Sequence, residues 1–189
     1  MRRPSPGAAD QRLEPGLYVV ATPIGNLRDI TLRAIDTLKR ADLVLAEDTR
    51  VTRKLFSVYG ISARLEPYHE HNAEAAGAKA LAVLAEGAAI ALVSDAGTPL
   101  VSDPGERLVR SAIEAGHRVI PVPGASALLA AVSAAGLPGG RFMFAGFPPP
   151  KSKARRDDFA ALAAVPASLV FFESGPRLAE SLADMAAVF

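Results

Sequence analysis

Short apolar runs alternate with stretches of helical periodicity along residues 17–122, and this alternation limits the possible folds more than any other feature of the chain. The runs fall at 17–21, 43–46, 64–66, 89–93 and 118–122; the helical stretches fill 31–40, 49–59, 74–86 and 106–115. Strands separated by helices of about ten residues do not pair as hairpins but cross over to lie parallel to one another. LVLA and AIALV are apolar at every position, the pattern of strands buried on both faces of a sheet. Gly60, Gly87 and Gly116 each stand just past a helical stretch, where a left-handed residue is wanted. The expected class is α/β, with a mostly parallel sheet in an N-terminal domain over 16–122.

LPGGR at 137–141 breaks this pattern after an Ala-rich helix at 126–135. It then restarts with a strand at 142–145, a Pro-rich basic loop, a helix at 153–164, a strand at 168–172 and a helix at 176–189. Residues 123–189 therefore read as a linker helix and the opening of a second α/β domain. The chain stops at Phe189 inside a helical pattern with no cap, Gly or Pro, so that domain is expected to be truncated. Residues 1–15 read as a disordered tail whose opening pair, Arg2 and Arg3, precedes no apolar stretch, which excludes a signal peptide.

Composition closes off several function classes. The chain is 50% hydrophobic and 22% charged, as a packed globular protein is. It has no cysteine, which removes disulfides, thiolate zinc sites and iron–sulfur clusters. No apolar run approaches the ~20 residues that span a bilayer, so a soluble, cytoplasmic protein without a membrane partner is expected. A net charge of +1 demands no polyanionic partner, so any case for nucleic acid rests on local clusters.

Each cluster of polar, Gly or Pro residues follows an expected strand: TPIGN, EDTR, YHEHN, SDAGTPLVSDPG, PGAS and ESGPR. In a parallel sheet these strand ends share one edge, where open α/β folds bind ligands. Tight βα turns alone are the plain alternative. Neither G-x-G-x-x-G after a strand nor G-x-x-x-x-G-K-[ST] occurs, so the two common phosphate cradles are absent. SDAGTPLVSDPG combines Gly97 and Gly105 with Pro99 and Pro104, offers Asp95, Thr98, Ser102 and Asp103 as polar groups, and holds no Lys or Arg. It suits a zwitterionic, adenosine-bearing ligand better than a triphosphate. In PGAS, Gly124 permits close approach and free amides at the helix start could face a ligand, while on spacing alone Ser126 reads first as a helix cap.

LYVVATPIGNLRDITLRA, AEDTR, YHEHN, ALVSDAGTPLVSDPG, VPGASALLAA, GFPPPKSKARR and FFES, in this order, resemble the small-subunit ribosomal RNA 2′-O-methyltransferases of the tetrapyrrole-methylase superfamily. The resemblance runs from Leu17 to about Leu182. It implies two α/β domains with S-adenosylmethionine in the cleft between them, a homodimer, and methylation of a cytidine 2′-hydroxyl of 16S rRNA in the decoding region of the small ribosomal subunit. Gly97, Thr98 and Pro99 match the superfamily's Gly-Asp-Pro position. With Asp95, Ala96 and Ser102, and with Pro123, Gly124, Ala125 and Ser126, they would line the donor pocket. Pro23 and Gly25 of TPIGN would form part of its floor. The family's E-[SA]-P-H-R reads Glu173-Ser174-Gly175-Pro176-Arg177 here, so no role of that histidine carries over, and the family continues well beyond Phe189.

For the proton of the acceptor hydroxyl, His69, Glu70, His71 and Asp48 are the candidate bases. Two histidines at i, i+2 on one strand would face the same way, but no third metal ligand accompanies them, and no metal is expected. Asn72 as a helix cap is the plain reading of that loop. Candidate RNA contacts are Arg50, Arg53 and Lys54 on one helix face, and Lys151, Lys153, Arg155 and Arg156 after three prolines; solvated helix faces are their plain reading. Two other functions stay open: methylation of a small molecule such as a tetrapyrrole, and an inactive ribosome-binding module.

Overall fold

A computed structural model of the protein describes residues 12–137 and 140–189. Most of the expected disordered tail (up to residue 11) and Pro138 and Gly139 of the LPGGR break lie outside the described residues. The chain divides into two compact units between Ser126 and Ala127.

In the first unit, β1 (Gly16–Val20), β2 (Leu43–Ala46), β3 (Leu65–Pro67), β4 (Ala89–Val93) and β5 (Val119–Val122) form one sheet in the order β3-β2-β4-β1-β5. Every pairing in it is parallel. The helices α1 (Leu32–Arg40), α2 (Thr49–Tyr59), α3 (Ala73–Ala85) and α4 (Glu106–Glu114) are the crossovers. Side chains alternate across the sheet with period two. Tyr18, Val20, Val44, Ala46, Ala89, Ala91 and Val93 pack with Ala34 and Leu38 of α1 and with Leu55 and Phe56 of α2. Leu17, Leu43, Leu45, Ile90 and Leu92 pack on the opposite face with Ala80 and Leu84 of α3 and Leu108 and Ala112 of α4. Both faces are therefore covered, which is why LVLA and AIALV carry no polar position.

Local signals set the ends of these helices. Thr31 accepts from the Ala34 N–H at the start of α1, and Asp48 accepts from the Arg50 N–H at the start of α2. Gly60 ends α2 at φ +58, a left-handed conformation that costs glycine little.

The second unit holds α5 (Ala127–Ala134), the parallel pair β6 (Phe142–Phe144) and β7 (Ser168–Val170), α6 (Ser152–Leu162) and α7 (Leu178–Val188). Phe159 is fully buried, its ring 5.2 Å from that of Phe171 and 5.6 Å from that of Phe189. The last helix does not begin at Pro176 as expected. Residues 175–177 form a 3₁₀ turn first, with Pro176 in its opening positions where a missing N–H costs nothing. Among the described residues no helix is long and apolar enough to cross a membrane.

Candidate active site

Helices α1 and α2 cover one face of the sheet and α3 and α4 the other, so the connections leaving β4 and its neighbours β1 and β2 diverge. Such divergence opens a crevice at the carboxyl ends of the strands. Loops 22–26, 94–105 and 123–126 meet there. The main chains of Thr22 and Gly97 exchange two hydrogen bonds, Thr22 N–H to Gly97 O at 2.8 Å and Gly97 N–H to Thr22 O at 3.0 Å. The Thr98 hydroxyl donates to Ala125 O at 3.2 Å, and the Thr22 hydroxyl to Ser94 O at 3.1 Å.

Glycine is required at two points of this junction. Gly97 holds φ +81, and a Cβ on it would stand 3.3 Å from Ile24 Cγ2. A Cβ on Gly124 would come within 2.9 Å of Ala21 Cβ, so PGAS lies against β1 only because that atom is missing. Leu100 and Ser102 also adopt positive φ, 72° and 66°, a strain that side-chain-bearing residues keep mainly where a site demands it. Of the expected donor-pocket residues, Pro23, Gly97, Thr98, Pro99, Gly124 and Ala125 fall at this junction. Gly25, Asp95, Ala96 and Ser102 lie on its exposed margin, and Ser126 closes the unit.

Beside the junction is a cleft of about 550 Å³ lined by Glu47, Tyr68, His69, Glu70, His71, Ser102, Asp103, Glu106 and Arg107, among others. Three of the four expected bases are here. The histidines are not on a strand: β3 ends at Pro67, and residues 70–72 form a turn. Their rings meet edge to face, with centroids 6.0 Å apart. Asn72 occupies the cap position of α3 but caps nothing there. Its Oδ1 accepts the His69 N–H at 2.8 Å and its Nδ2 donates to Pro67 O at 3.0 Å, so it shapes the histidine turn instead. His69 Nδ1 is enclosed and has no hydrogen-bond partner among the described residues. Among the described residues no three His, Cys, Asp or Glu side chains are grouped to hold a metal ion.

The fourth expected base, Asp48, is committed elsewhere. The Arg50 side chain first, then the Arg50 N–H, hold its carboxyl down at about 2, with Arg50 Nη2 at 2.5 Å. A carboxylate so stabilised is a poor proton acceptor near neutral pH.

The residue that sequence reasoning passed over is its neighbour, Glu47. Burial first, then the charges of Asp95 and Asp103, push the Glu47 carboxyl above its ordinary range, and a hydrogen bond from the Asp95 N–H only partly offsets them. Asp103 is also pushed up, by burial first and by Asp95, against a hydrogen bond from Ser94. The loops after β2 and β4 are tied reciprocally, since the Asp48 N–H donates to Asp95 Oδ1 at 3.0 Å.

A stability prediction follows from the sign of the Glu47 shift. A raised folded-state pKa means that the contribution of this group to stability is lost as pH rises through that value. Glu47→Gln, which keeps the acceptor oxygen, should therefore melt higher than the wild type at about pH 8 and together with it below about pH 4. Equal melting temperatures at both pH values would mean that Glu47 titrates as it does in the unfolded chain.

The expected RNA contacts separate. Arg50, Arg53, Lys54, Lys151, Lys153 and Arg156 are exposed. Arg155 is not: it is 1% exposed, with Nε 2.8 Å and Nη2 2.7 Å from Asp184. Its expected role as an RNA contact is corrected to a structural one, because α6 turns it inward onto α7 while Lys151, Lys153 and Arg156 face out. Burial works to raise the Asp184 carboxyl, but hydrogen bonds from Ser152 and Arg155 outweigh it and hold it low. Arg155 Nη1 also reaches Pro150 O at 3.4 Å, and Arg177 Nη2 reaches Pro148 O at 2.7 Å and Pro149 O at 3.2 Å. All three proline carbonyls are thus held by guanidinium groups.

A parallel α/β sheet with Gly/Pro loops gathered at the carboxyl ends of its strands is the architecture of an open α/β ligand-binding domain, and the comparisons say which family it belongs to. The chain belongs to the tetrapyrrole methylase family: the model of the Tetrapyrrole (Corrin/Porphyrin) Methylases matches residues 16–189. Three relatives share the name ribosomal RNA small subunit methyltransferase I. That of Mesorhizobium japonicum is 62% identical over 92% of this chain and 59% of its own length. That of Escherichia coli O157:H7 is 55% identical over 91% and 60%, and that of Pseudomonas aeruginosa 53% identical over 92% and 61%. The chain spans about 60% of the length of these curated relatives.

Among solved structures, the methyltransferase CobJ superposes with a TM-score of 0.66 at 21% identity, over 92% of this chain and 76% of its own, which shows a shared fold. Uroporphyrin-III-C-methyltransferase from Thermus thermophilus gives a TM-score of 0.53 at 26% identity, over 71% of this chain and 63% of its own.

Proposed function

We propose that this chain is the donor-binding and catalytic part of an S-adenosylmethionine-dependent methyltransferase that methylates the 2′-hydroxyl of a cytidine ribose in 16S rRNA, within the decoding region of the small ribosomal subunit. We place that activity in the cytoplasm and assign it to a homodimer. The observation that carries the reading is the junction of loops 94–105 and 123–126 on β1, beside a cleft of hydrogen-bonding side chains, in a chain whose relatives share one name.

The residues present fit the donor. S-adenosylmethionine bears a sulfonium and an ammonium against one carboxylate, and loop 94–105 carries Asp95 and Asp103, with no Lys or Arg in it or in loop 123–126. An acidic surround stabilises a ligand of net positive charge. The absent side chains of Gly97 and Gly124 let their loops pack against Ile24 and Ala21, which fixes the main chain that would border the adenosine. Bound there, the donor supplies an electrophilic methyl group.

The chain's task is then alignment and proton handling. The Thr22–Gly97 and Thr98–Ala125 hydrogen bonds fix the two loops against β1, so the donor surface is preorganised. The side chains of the cleft border the position of an incoming ribose. Arg50, Arg53 and Lys54 on α2, and Lys151, Lys153 and Arg156 at the start of α6, supply phosphate contacts that position RNA without reading its sequence.

Lys151→Glu combined with Lys153→Glu should leave donor affinity unchanged and weaken small-subunit binding. The log–log salt dependence should become shallower by about one unit per lost phosphate contact. An unchanged salt dependence removes this loop from the RNA surface.

The function itself is tested with full-length protein, isotopically labelled S-adenosylmethionine and small subunits from cells lacking the enzyme. Label in a 2′-O-methylated cytidine of 16S rRNA is the expected result. Donor binding without label in RNA would move the acceptor to a small molecule or leave a binding module without catalysis.

A further inference from the structure

Glu47 is the group that the proposed chemistry has not yet used. It follows β2 directly, lines the 550 Å³ cleft and lies across from the histidine turn and the loop after β4. Charged and titratable groups face it from each neighbouring element. Asp48, paired with Arg50, follows it in the chain; Asp95 and Asp103 come from the loop after β4; His69, Glu70 and His71 come from the turn after β3; Glu106 and Arg107 come from the start of α4.

Most of these groups are committed. The Asp48 carboxylate belongs to Arg50, that of Asp95 receives the Asp48 N–H, Asp103 is bonded to Ser94, and Glu106 is paired with Arg110. Glu47 accepts from the Asp95 main-chain N–H, and among the described residues no side chain is paired with its carboxylate, which leaves it facing the cleft.

Resting on the function proposed above, we infer that Glu47, which lines the cleft between the loops after β2, β3 and β4, is the proton acceptor for the ribose 2′-hydroxyl. The hydroxyl oxygen forms the new oxygen–carbon bond as the methyl–sulfur bond breaks, and the bonding pair stays on sulfur. The hydroxyl proton passes to a Glu47 carboxylate oxygen and from there to water, so charge and atoms balance. A carboxylate crowded by two others in a partly buried cleft is a stronger base than one in water. The same crowding repels phosphate and admits a neutral hydroxyl, which leaves the polyanion to the cations of α2.

The test uses full-length protein in two measurements. Carboxyl NMR of ¹³C-labelled glutamate in the resting protein, with Glu47→Gln to assign the signal, should give a midpoint above that of an ordinary glutamate. Single-turnover methylation of small subunits as a function of pH should show an acid limb at that same midpoint. Glu47→Gln should slow turnover roughly a hundredfold, keep donor affinity and lose that limb. Asp103→Asn, which removes a neighbouring charge, should move the NMR midpoint and the acid limb down together, and it carries the test if Glu47→Gln does not fold.

Turnover of Glu47→Gln within about threefold of wild type overturns the inference. So does an acid limb that survives in that variant, which would hand the proton to His69 or His71. A limb that stays put while Asp103→Asn shifts the Glu47 signal overturns it as well. The failure of the underlying function looks different, because wild-type protein would then place no label in RNA at any pH.

Discussion

Gly97→Val should leave the protein folded and weaken its binding of S-adenosylmethionine. Gly97 sits at φ +81, where a β-branched residue is a genuine outlier, and its new Cβ would press on Ile24 at 3.3 Å. Both main-chain groups of Gly97 are bonded to Thr22, so the strain cannot be relieved without detaching the loop from β1. Strain of about 1–3 kcal/mol placed in the binding loop lowers affinity by roughly tenfold to a hundredfold. Calorimetric titration with S-adenosylmethionine measures it. Gly60→Val is the control: it meets the same left-handed strain at φ +58, with open space around it, at the opposite end of α2 from Asp48. It should lower the melting temperature and spare donor affinity. An unchanged affinity in Gly97→Val would move the donor pocket away from this loop.

Arg155→Ala carries the largest expected loss of stability. Its guanidinium is 1% exposed, and truncation strips Asp184 of its two closest contacts while opening a void between α6 and α7. Removing one member of a buried pair costs about 3 kcal/mol or more, which for a chain of this size lowers the melting temperature by about 10 °C. Replacing both partners with apolar residues, Arg155→Met with Asp184→Leu, should recover most of that loss. The Asp184 shift sets the pH dependence. A lowered carboxyl stabilises above its unfolded value and loses that contribution as pH falls through the folded one, so the mutant and wild type should converge in acid. Arg155→Ala with an unaltered melting temperature and a shallower salt dependence would return this residue to the RNA surface.

The fold was largely legible because the signals for it are local. Apolar runs without polar interruption marked β2 and β4 to the residue, and left-handed glycines marked the ends of α2, α3 and α4. The site was only half legible. Gly97 and Gly124 are conspicuous in any reading, since each stands in a loop directly after a strand with a proline within two residues. KSKARR shows four cations of equal standing, and nothing in their spacing says that Arg155 alone turns inward to Asp184, 29 residues away. Glu47 was hidden behind Asp48. The available clue was that an aspartate directly before a helix is usually its cap, which would have spent Asp48 and left Glu47 for the cleft. The histidine turn was misjudged because β3 is only three residues long, too short for strand alternation to reach His69.

The three prolines ahead of the basic cluster have no N–H to offer, and two arginine forks hold the carbonyls that remain. A segment fastened in this way has little left to order when it meets a partner. Under the proposed function, capture of a polyanion by Lys151 and Lys153 would then depend on encounter frequency and ionic strength rather than on waiting for a loop to find its shape. In a relaxation experiment, association should follow ligand concentration in a single phase, with no plateau set by an internal rearrangement of this loop.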